Sequence, residues 1–116
     1  MITTALYSVT KLEASCGNDP AFIREIIEMS CAQMLELSDL IIKAAEKQSW
    51  PDVYFHAHKL KASIGLLEIN LMEEIKIINT NAKQEINTNT ILPQVKSVIA
   101  AVAECVEQMK KDYLIK

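Results

Sequence analysis

The chain has 116 residues, the length of one domain with a single hydrophobic core, so we treat residues 1–116 as one domain. Half of the residues are hydrophobic, only 5% are aromatic and two are glycine. This composition favours aliphatic packing between helices over a β-architecture. The formal net charge of -3, without a basic stripe, argues against a nucleic-acid partner.

The lack of a recognisable targeting signal and the pattern of cysteines both predict a cytoplasmic protein. No apolar run approaches the roughly 18 residues that a membrane span requires, and no basic-then-apolar leader opens the chain, so we expect no membrane segment. Cys16, Cys31 and Cys105 are odd in number and widely spaced. They are typical of small core residues in a reducing compartment, and we expect neither a disulfide framework nor a zinc site.

The first predicted element is a short amphipathic helix within residues 1–16. Leu6, Val9 and Leu12 recur there at helical spacing. Gly17 follows and suits the left-handed end of a helix. We therefore expect a short N-terminal helix that ends at this glycine.

A long second helix is predicted from Pro20 to about Gln48. Asp19 can cap its amino end, and proline fits a first helical turn. One side of the helix carries a mainly apolar stripe, which is formed by Phe22, Ile26, Met29 or Ser30, Gln33, Leu37, Leu40 and Ala44. The stripe is widened by Ile23, Ile27, Met34 and Ile41. We expect this side to face the core.

The third helix begins with Ser49 as the predicted cap and Asp52 three residues later. Its predicted core stripe is Val53, Ala57, Leu60, Ile64 and Leu67. At about 100° per residue, His58 lies roughly 140° from the middle of this stripe. Residues three apart share a helix face, so Lys61 lies beside His58. The spacing predicts that His58 is displayed outside the core.

Two further helices complete the predicted fold. Residues 70–73 have the form of a capping box and predict a fourth helix that buries Ile75, Ile78 and Ala82. Turn residues fill positions 85–90, and a last helix is expected from about Leu92 to Tyr113. Four long helices with short joins predict an all-α, antiparallel up-down-up-down four-helix bundle with a short additional N-terminal helix.

The pair of His58 and Lys61 suits phosphoryl transfer. A neutral imidazole attacks phosphorus through a ring nitrogen and forms a phosphoramidate that remains reactive. The transition state is loose, so positioning and nearby positive charge do most of the catalysis, and Lys61 supplies such a charge. Lys59 points away on the helical wheel. We find no nucleotide-binding loop and no acidic cluster that would hold Mg²⁺, so direct use of ATP is not expected.

The third helix also carries a family resemblance. Residues 57–63 read Ala-His-Lys-Leu-Lys-Ala-Ser, which resembles the Ala-His-x-Leu-Lys-Gly-Ser signature of histidine-containing phosphotransfer (HPt) domains, the four-helix modules of multistep two-component phosphorelays. The acidic-Pro start at Asp19, the long second helix and Trp50 just before the motif are similar to the family as well. The resemblance covers most of the chain and is specific in these seven residues.

The resemblance implies a phosphoryl carrier that is not itself an enzyme. His58 would be the phosphoacceptor in two-component signal transduction, and the partners would be receiver domains of response regulators or hybrid sensor histidine kinases. The acceptor aspartate and Mg²⁺ would belong to that receiver, so we expect no cofactor and no metal ligand in this chain. Tyr54, Phe55, Ala62 and Gly65 are the expected docking residues.

Two positions depart from the family pattern. The usual glycine four residues after the histidine is Ala62 here, which adds one methyl group to the rim over which a partner approaches. The glycine often found ten residues after the histidine is Glu68, which bears on where the third helix ends and not on the chemistry.

Two rival interpretations belong to other classes. The first is a non-catalytic helical adaptor on the same fold; the intact His58 argues against it and the alanine at position 62 favours it. The second is a helical metal binder that uses His56 and His58. Residues two apart on a helix point about 200° apart, so these two imidazoles cannot share one ion without distortion.

Overall fold

Helices account for the regular secondary structure of the described chain. A computed structural model describes residues 6–115, and within that range it contains helices and no β-strand. The elements are α1 (Thr10–Cys16), α2 (Pro20–Glu46), α3 (Trp50–Leu66), α4 (Met72–Gln84) and α5 (Thr88–Asp112). The all-α prediction is therefore confirmed for these residues.

The four longer helices pack in a closed cycle around one core. α2 contacts α3 and α5, α4 contacts the same two helices, and α1 packs against α2. At a rise of 1.5 Å per residue, the 27 residues of α2 are about 40 Å long. This length matches the longest dimension of the molecule, 43 Å, so α2 spans the core from end to end.

The predicted start of α2 is confirmed. Oδ1 of Asp19 accepts hydrogen bonds from the backbone N–H groups of Ala21 and Phe22, at 3.1 and 3.3 Å, and Pro20 is the first helical residue. These bonds satisfy two of the amide groups that a helix start leaves without a partner. The preceding Gly17 has φ +73°, so a glycine does stand where the chain turns between α1 and α2.

The predicted core face of α2 is partly wrong. Phe22 is 44% exposed, and Gln33 and Leu40 also lie outside the core; of the alternatives Met29 and Ser30, Met29 is 72% exposed and Ser30 is buried. Most of the other predicted core residues are buried, which are Ile23, Ile27, Met34, Leu37, Ile41 and Ala44, and they are joined by Cys31 and Ala45. Apolar residues cover so much of this helix that two stripes compete. The positions of α3 and α5 decide which of them is buried.

The N-terminal helix is shorter than predicted. It begins at Thr10, while Leu6 and Val9 are not helical; residues 1–5 of the predicted segment lie outside the described range. The backbone N–H of Ser8 donates to the carbonyl of Leu67 at 2.8 Å. This contact with the turn after α3 takes the place of a bond within a helix, because one N–H cannot serve both. Leu12 is buried as predicted.

The starts of α3, α4 and α5 differ from their predicted caps. The Ser49 hydroxyl donates to the Asp52 carboxylate at 2.7 Å and does not accept from a backbone amide. Leu71 is the residue that precedes α4, and no side chain caps that helix. α5 begins at Thr88, about one turn earlier than predicted, after a left-handed Asn87 (φ +49°). The breaks before α3 and α4 lie close to their predicted positions, but the predicted caps are not formed, and the break before α5 is shorter than predicted.

The turn after α3 contains Glu68 in an unusual backbone conformation. α3 ends at Leu66, and Glu68 has φ +50°, which is the left-handed region that favours glycine. The Oε2 atom of Glu68 accepts from the backbone N–H of Lys11 at 3.3 Å. A glutamate in a glycine-like conformation therefore follows the helix, and its side chain tethers the start of α1.

Candidate functional site

The core side of α3 fixes the orientation of the motif. All five residues of the predicted stripe are fully buried, and these are Val53, Ala57, Leu60, Ile64 and Leu67. This stripe is held between neighbouring helices, so the opposite side of α3 must face outward. His58 is exposed, as predicted, and Lys61 is half-buried beside it.

A pocket of about 300 Å³ opens at His58. We call it the lysine pocket. It is lined by Tyr54, His58 and Lys61 of α3 and by Lys76, Asn79, Thr80 and Lys83 of α4. The pocket is an open surface depression, and therefore suits a group that must be reached by a second macromolecule.

The α3 wall of the pocket contains a pair of neighbouring aromatic rings. The rings of Tyr54 and His58 are one helical turn apart, with centroids 5.8 Å apart and planes inclined by 30°. Tyr54 is half-buried and packs against the hydrophobic core. Lys61 lines the same pocket, so the structure places His58 and Lys61 at one depression, as their spacing predicted.

The α4 wall was not predicted from the sequence. Lys76, Thr80 and Lys83 recur at spacings of four and three and thus share one face of α4. The ammonium of Lys83 lies 5.6 Å from the Tyr54 ring centroid, within the range of a cation–π contact. The polar face of α4 was visible in the sequence opposite Ile75, Ile78 and Ala82. Its position next to His58 depends on how α4 packs on α3.

The lysines of the pocket are not paired with carboxylates. The salt bridges among residues 6–115 join Arg24 to Glu28 and Lys43 to Asp39. Lys61, Lys76 and Lys83 belong to neither. Three like charges in one depression repel one another, whereas each of them would attract a bound anion. In a chain of net charge -3, the three lysines make this depression a local concentration of positive charge.

A buried polar group adds to the α4 wall. Asn79 is only 7% exposed, and its Oδ1 atom has no hydrogen-bond partner among the described residues. A buried acceptor without a partner costs free energy. Because this oxygen is a buried acceptor, it does not bind an anion, and Asn79 contributes to the pocket only as part of its lining.

The remaining expected docking residues lie outside the lysine pocket. Phe55 is 55% exposed, and the Lys59 ammonium lies 4.3 Å from its ring centroid. Ala62 is exposed. Gly65 is half-buried, and a Cβ atom at this position would lie 3.3 Å from Cε of Met72, so its small size also serves the packing of α3 on α4.

The other candidate reactive groups are separate from the pocket. His56 is half-buried, and its ring meets the edge of Phe55 at a centroid distance of 5.3 Å. Among residues 6–115, no three His, Cys, Asp or Glu side chains are grouped so that they could hold a metal ion. Burial raises the pKa of the Cys31 and Cys105 thiols, which disfavours the reactive thiolate.

The helices of the described chain are too short or too polar to cross a bilayer.

Searches against known proteins add no family assignment. Comparisons of the chain with protein-family models, with curated proteins and with solved structures find no match. Function is therefore inferred from the residues of the lysine pocket and from the motif around His58.

Proposed function

We propose that this protein is a phosphoryl carrier of the HPt type, which accepts a phosphoryl group on His58 from an aspartate of one receiver domain and passes it to another. The observation that carries the proposal is the convergence of an exposed imidazole with three lysines that have no carboxylate partner. A carrier site requires a nucleophile that a partner can reach and positive charge where the phosphoryl oxygens will lie.

The proposed step exchanges one phosphorus bond for another. The unprotonated ring nitrogen of His58 forms an N–P bond as the O–P bond of the partner's aspartyl phosphate breaks, and the aspartate leaves as a carboxylate. The reverse step transfers the group to a second receiver. Lys61 stabilises the charge on the phosphoryl oxygens, and Lys76 and Lys83 extend that positive field from α4.

The proposal includes the arrangement of the chain and its partner. α2 to α5 form an antiparallel up-down-up-down four-helix bundle, preceded by the short α1. The joins support this: α2 and α3 are separated by three residues, and short joins return the chain alongside the preceding helix. We place the protein in the cytoplasm as a carrier without a cofactor of its own. The receiver supplies the aspartate and Mg²⁺.

The proposed docking surface surrounds the imidazole. It comprises Tyr54, Phe55, Ala62 and Gly65, and Phe55 is a large aromatic side chain that is 55% exposed. Aromatic residues are enriched at protein–protein interfaces relative to the rest of a protein surface. A receiver seated there would bring its own acidic site over the lysines, where opposite charges favour the encounter.

The experiment is label transfer from a ³²P-phosphorylated receiver domain. The wild-type protein should take up label that survives alkali and is lost in acid, as expected for phosphohistidine. His58→Gln should take up none. The matched control is His56→Gln, because its imidazole is two residues away and outside the pocket; it should be labelled like the wild type. Label on His58→Gln, or loss of label only in His56→Gln, would contradict the assignment.

A non-catalytic adaptor is the second candidate, and the exposed Phe55 is the observation that favours it. An adaptor would bind a receiver domain without accepting label. Binding measured by calorimetry therefore separates the two: receiver binding that depends on Phe55, together with no labelling of the wild type by any phosphorylated receiver tested, would support the adaptor.

A further inference from the structure

We propose that Tyr54 is a positioning residue, which holds the His58 ring in the orientation that phosphoryl transfer needs. This inference rests on the proposed function and adds a role that docking alone does not give Tyr54. It starts from the ring pair on α3, where the centroids of Tyr54 and His58 are 5.8 Å apart and the planes are inclined by 30°.

An exposed histidine on a helix is otherwise free to rotate about its side-chain bonds. The lone pair of the attacking ring nitrogen lies in the plane of the imidazole. A second ring beside the imidazole therefore limits its rotation, while the exposed His58 remains accessible to a partner. With its centroid 5.8 Å away and its plane inclined by 30°, the Tyr54 ring restrains the nucleophile, and restraint of this kind removes part of the entropic barrier of the reaction.

Tyr54 is suited to act as a fixed platform because it is held from two sides. It is half-buried and packs against the hydrophobic core, which restricts its own motion. On the side of α4, the Lys83 ammonium lies 5.6 Å from the centroid of the tyrosine ring. The cation–π contact thus connects the two walls of the lysine pocket through Tyr54.

The same geometry makes Lys83 a shared group. Its ammonium contacts the Tyr54 ring and also lines the pocket that would hold the phosphoryl oxygens. The Tyr54 ring therefore keeps the Lys83 ammonium close to the pocket before a phosphoryl group is present. Once the N–P bond has formed, the ammonium can turn toward the phosphoryl oxygens.

The test compares Tyr54→Phe, which keeps the ring, with Tyr54→Leu, which keeps apolar volume and removes the ring. In transfer from a phosphorylated receiver, Tyr54→Leu should lower kcat about tenfold with little change in KM, because a misplaced nucleophile affects the step itself. Tyr54→Phe should stay close to the wild type. A rise in KM alone would overturn the proposal, since that result assigns Tyr54 to docking only.

A second readout does not require a receiver. The imidazole C–H resonances of His58, assigned by comparison with His58→Gln, should show the same ring-current shift in the wild type and Tyr54→Phe and lose it in Tyr54→Leu. Identical His58 resonances in Tyr54→Leu and the wild type would overturn the proposal. If Tyr54→Leu does not fold, Tyr54→Met serves as the ringless variant.

The two readouts separate failure of this inference from failure of the proposed function. A wild-type protein that takes no label from any receiver contradicts the carrier function, and the resonances of His58 still decide whether Tyr54 holds its ring. A wild-type protein that is labelled normally, with the kcat of Tyr54→Leu unchanged, contradicts the positioning role alone.

Discussion

Two regions of the molecule use polar side chains in opposite ways. At the first region, which we call the terminal clamp, Tyr7 donates to Asp112 at 2.6 Å, and Arg24 donates to the carbonyls of Tyr113 and Leu114 at 2.9 and 3.0 Å. Each donor has an acceptor from a distant part of the chain. In the lysine pocket, by contrast, the three ammonium groups have no carboxylate partner among the described residues.

This difference distinguishes residues that hold the fold together from residues that are available to a ligand. Polar groups that are paired within the chain hold its ends in place and leave nothing for a ligand. Charges of one sign that two helices bring together without partners contribute nothing favourable to folding, because they repel one another. Substitutions in the two regions should therefore have opposite effects on stability and on phosphoryl transfer.

The largest expected effect lies beneath the pocket. Leu60→Ala should lower the free energy of unfolding by about 2–5 kcal/mol, because Leu60 has no solvent exposure and its truncation leaves a cavity. His58→Gln, two residues away on the exposed side, should change it by less than about 0.5 kcal/mol. Urea denaturation measures both. Similar losses in the two variants would show that the surface of the pocket is part of the scaffold.

The next effect concerns the charge beside the nucleophile. Lys61→Ala should slow transfer from a phosphorylated receiver about tenfold, or about 1.4 kcal/mol in activation free energy. Its stability should be unchanged, since no partner is lost. Lys47→Ala, which removes an exposed lysine that does not line the pocket, is the matched control and should transfer at the wild-type rate. Equal slowing in both variants would point to a general effect of net charge.

The terminal clamp should show the reverse pattern. Tyr7→Phe removes the hydroxyl that bonds Asp112 and should lower stability by about 1 kcal/mol at neutral pH, while transfer remains normal. Thermal denaturation and the label-transfer assay measure the two effects. A slower transfer rate in Tyr7→Phe would mean that the clamp and the pocket are coupled.

The clamp also predicts a dependence on alkaline pH. Burial, followed by the hydrogen bond to Asp112, raises the pKa of Tyr7 above its ordinary value of 10.0. A raised folded-state pKa gives stabilisation that is complete below pH 10 and is lost as the pH rises beyond it. Between pH 9 and about 12, the wild type should therefore lose more stability than Tyr7→Phe, as followed by denaturation at each pH. Parallel pH profiles would contradict this contribution.

The smallest expected effect is on the α4 wall. Lys76→Ala and Lys83→Ala should each slow transfer about threefold, and the effect should shrink at high salt, because these charges act through a screened field. Lys96→Ala on α5 is the control, since Lys96 is exposed and outside the pocket. No change in either α4 variant at low salt would restrict the anion site to α3.

Much of α3 and the start of α2 followed from the sequence. The spacing of Val53, Ala57 and Leu60 predicted a buried stripe and an exposed His58, and the structure has both. Asp19 and Pro20 predicted the start of α2 for a local reason, since a cap involves only neighbouring residues. The prediction failed where apolar residues exceed what one face can bury, as at Phe22 and Leu40.

The N-terminal segment shows why local patterns were insufficient there. Leu6 and Val9 have helical spacing, yet the backbone of Ser8 pairs with the carbonyl of Leu67, which is distant in the sequence. A long-range hydrogen bond of this kind leaves no periodic signal. The same holds for the terminal clamp, whose partners are more than 85 residues apart in the sequence.

By itself, the sequence determined that the described chain is helical, that His58 lies opposite a buried stripe and that Lys61 lies beside it, because these properties depend on residue spacing along one helix. Only the tertiary structure decided that Lys76, Thr80 and Lys83 complete a pocket around His58. Their placement depends on the register and rotation of α4 against α3, and these are set by the packing of side chains from two separate helices.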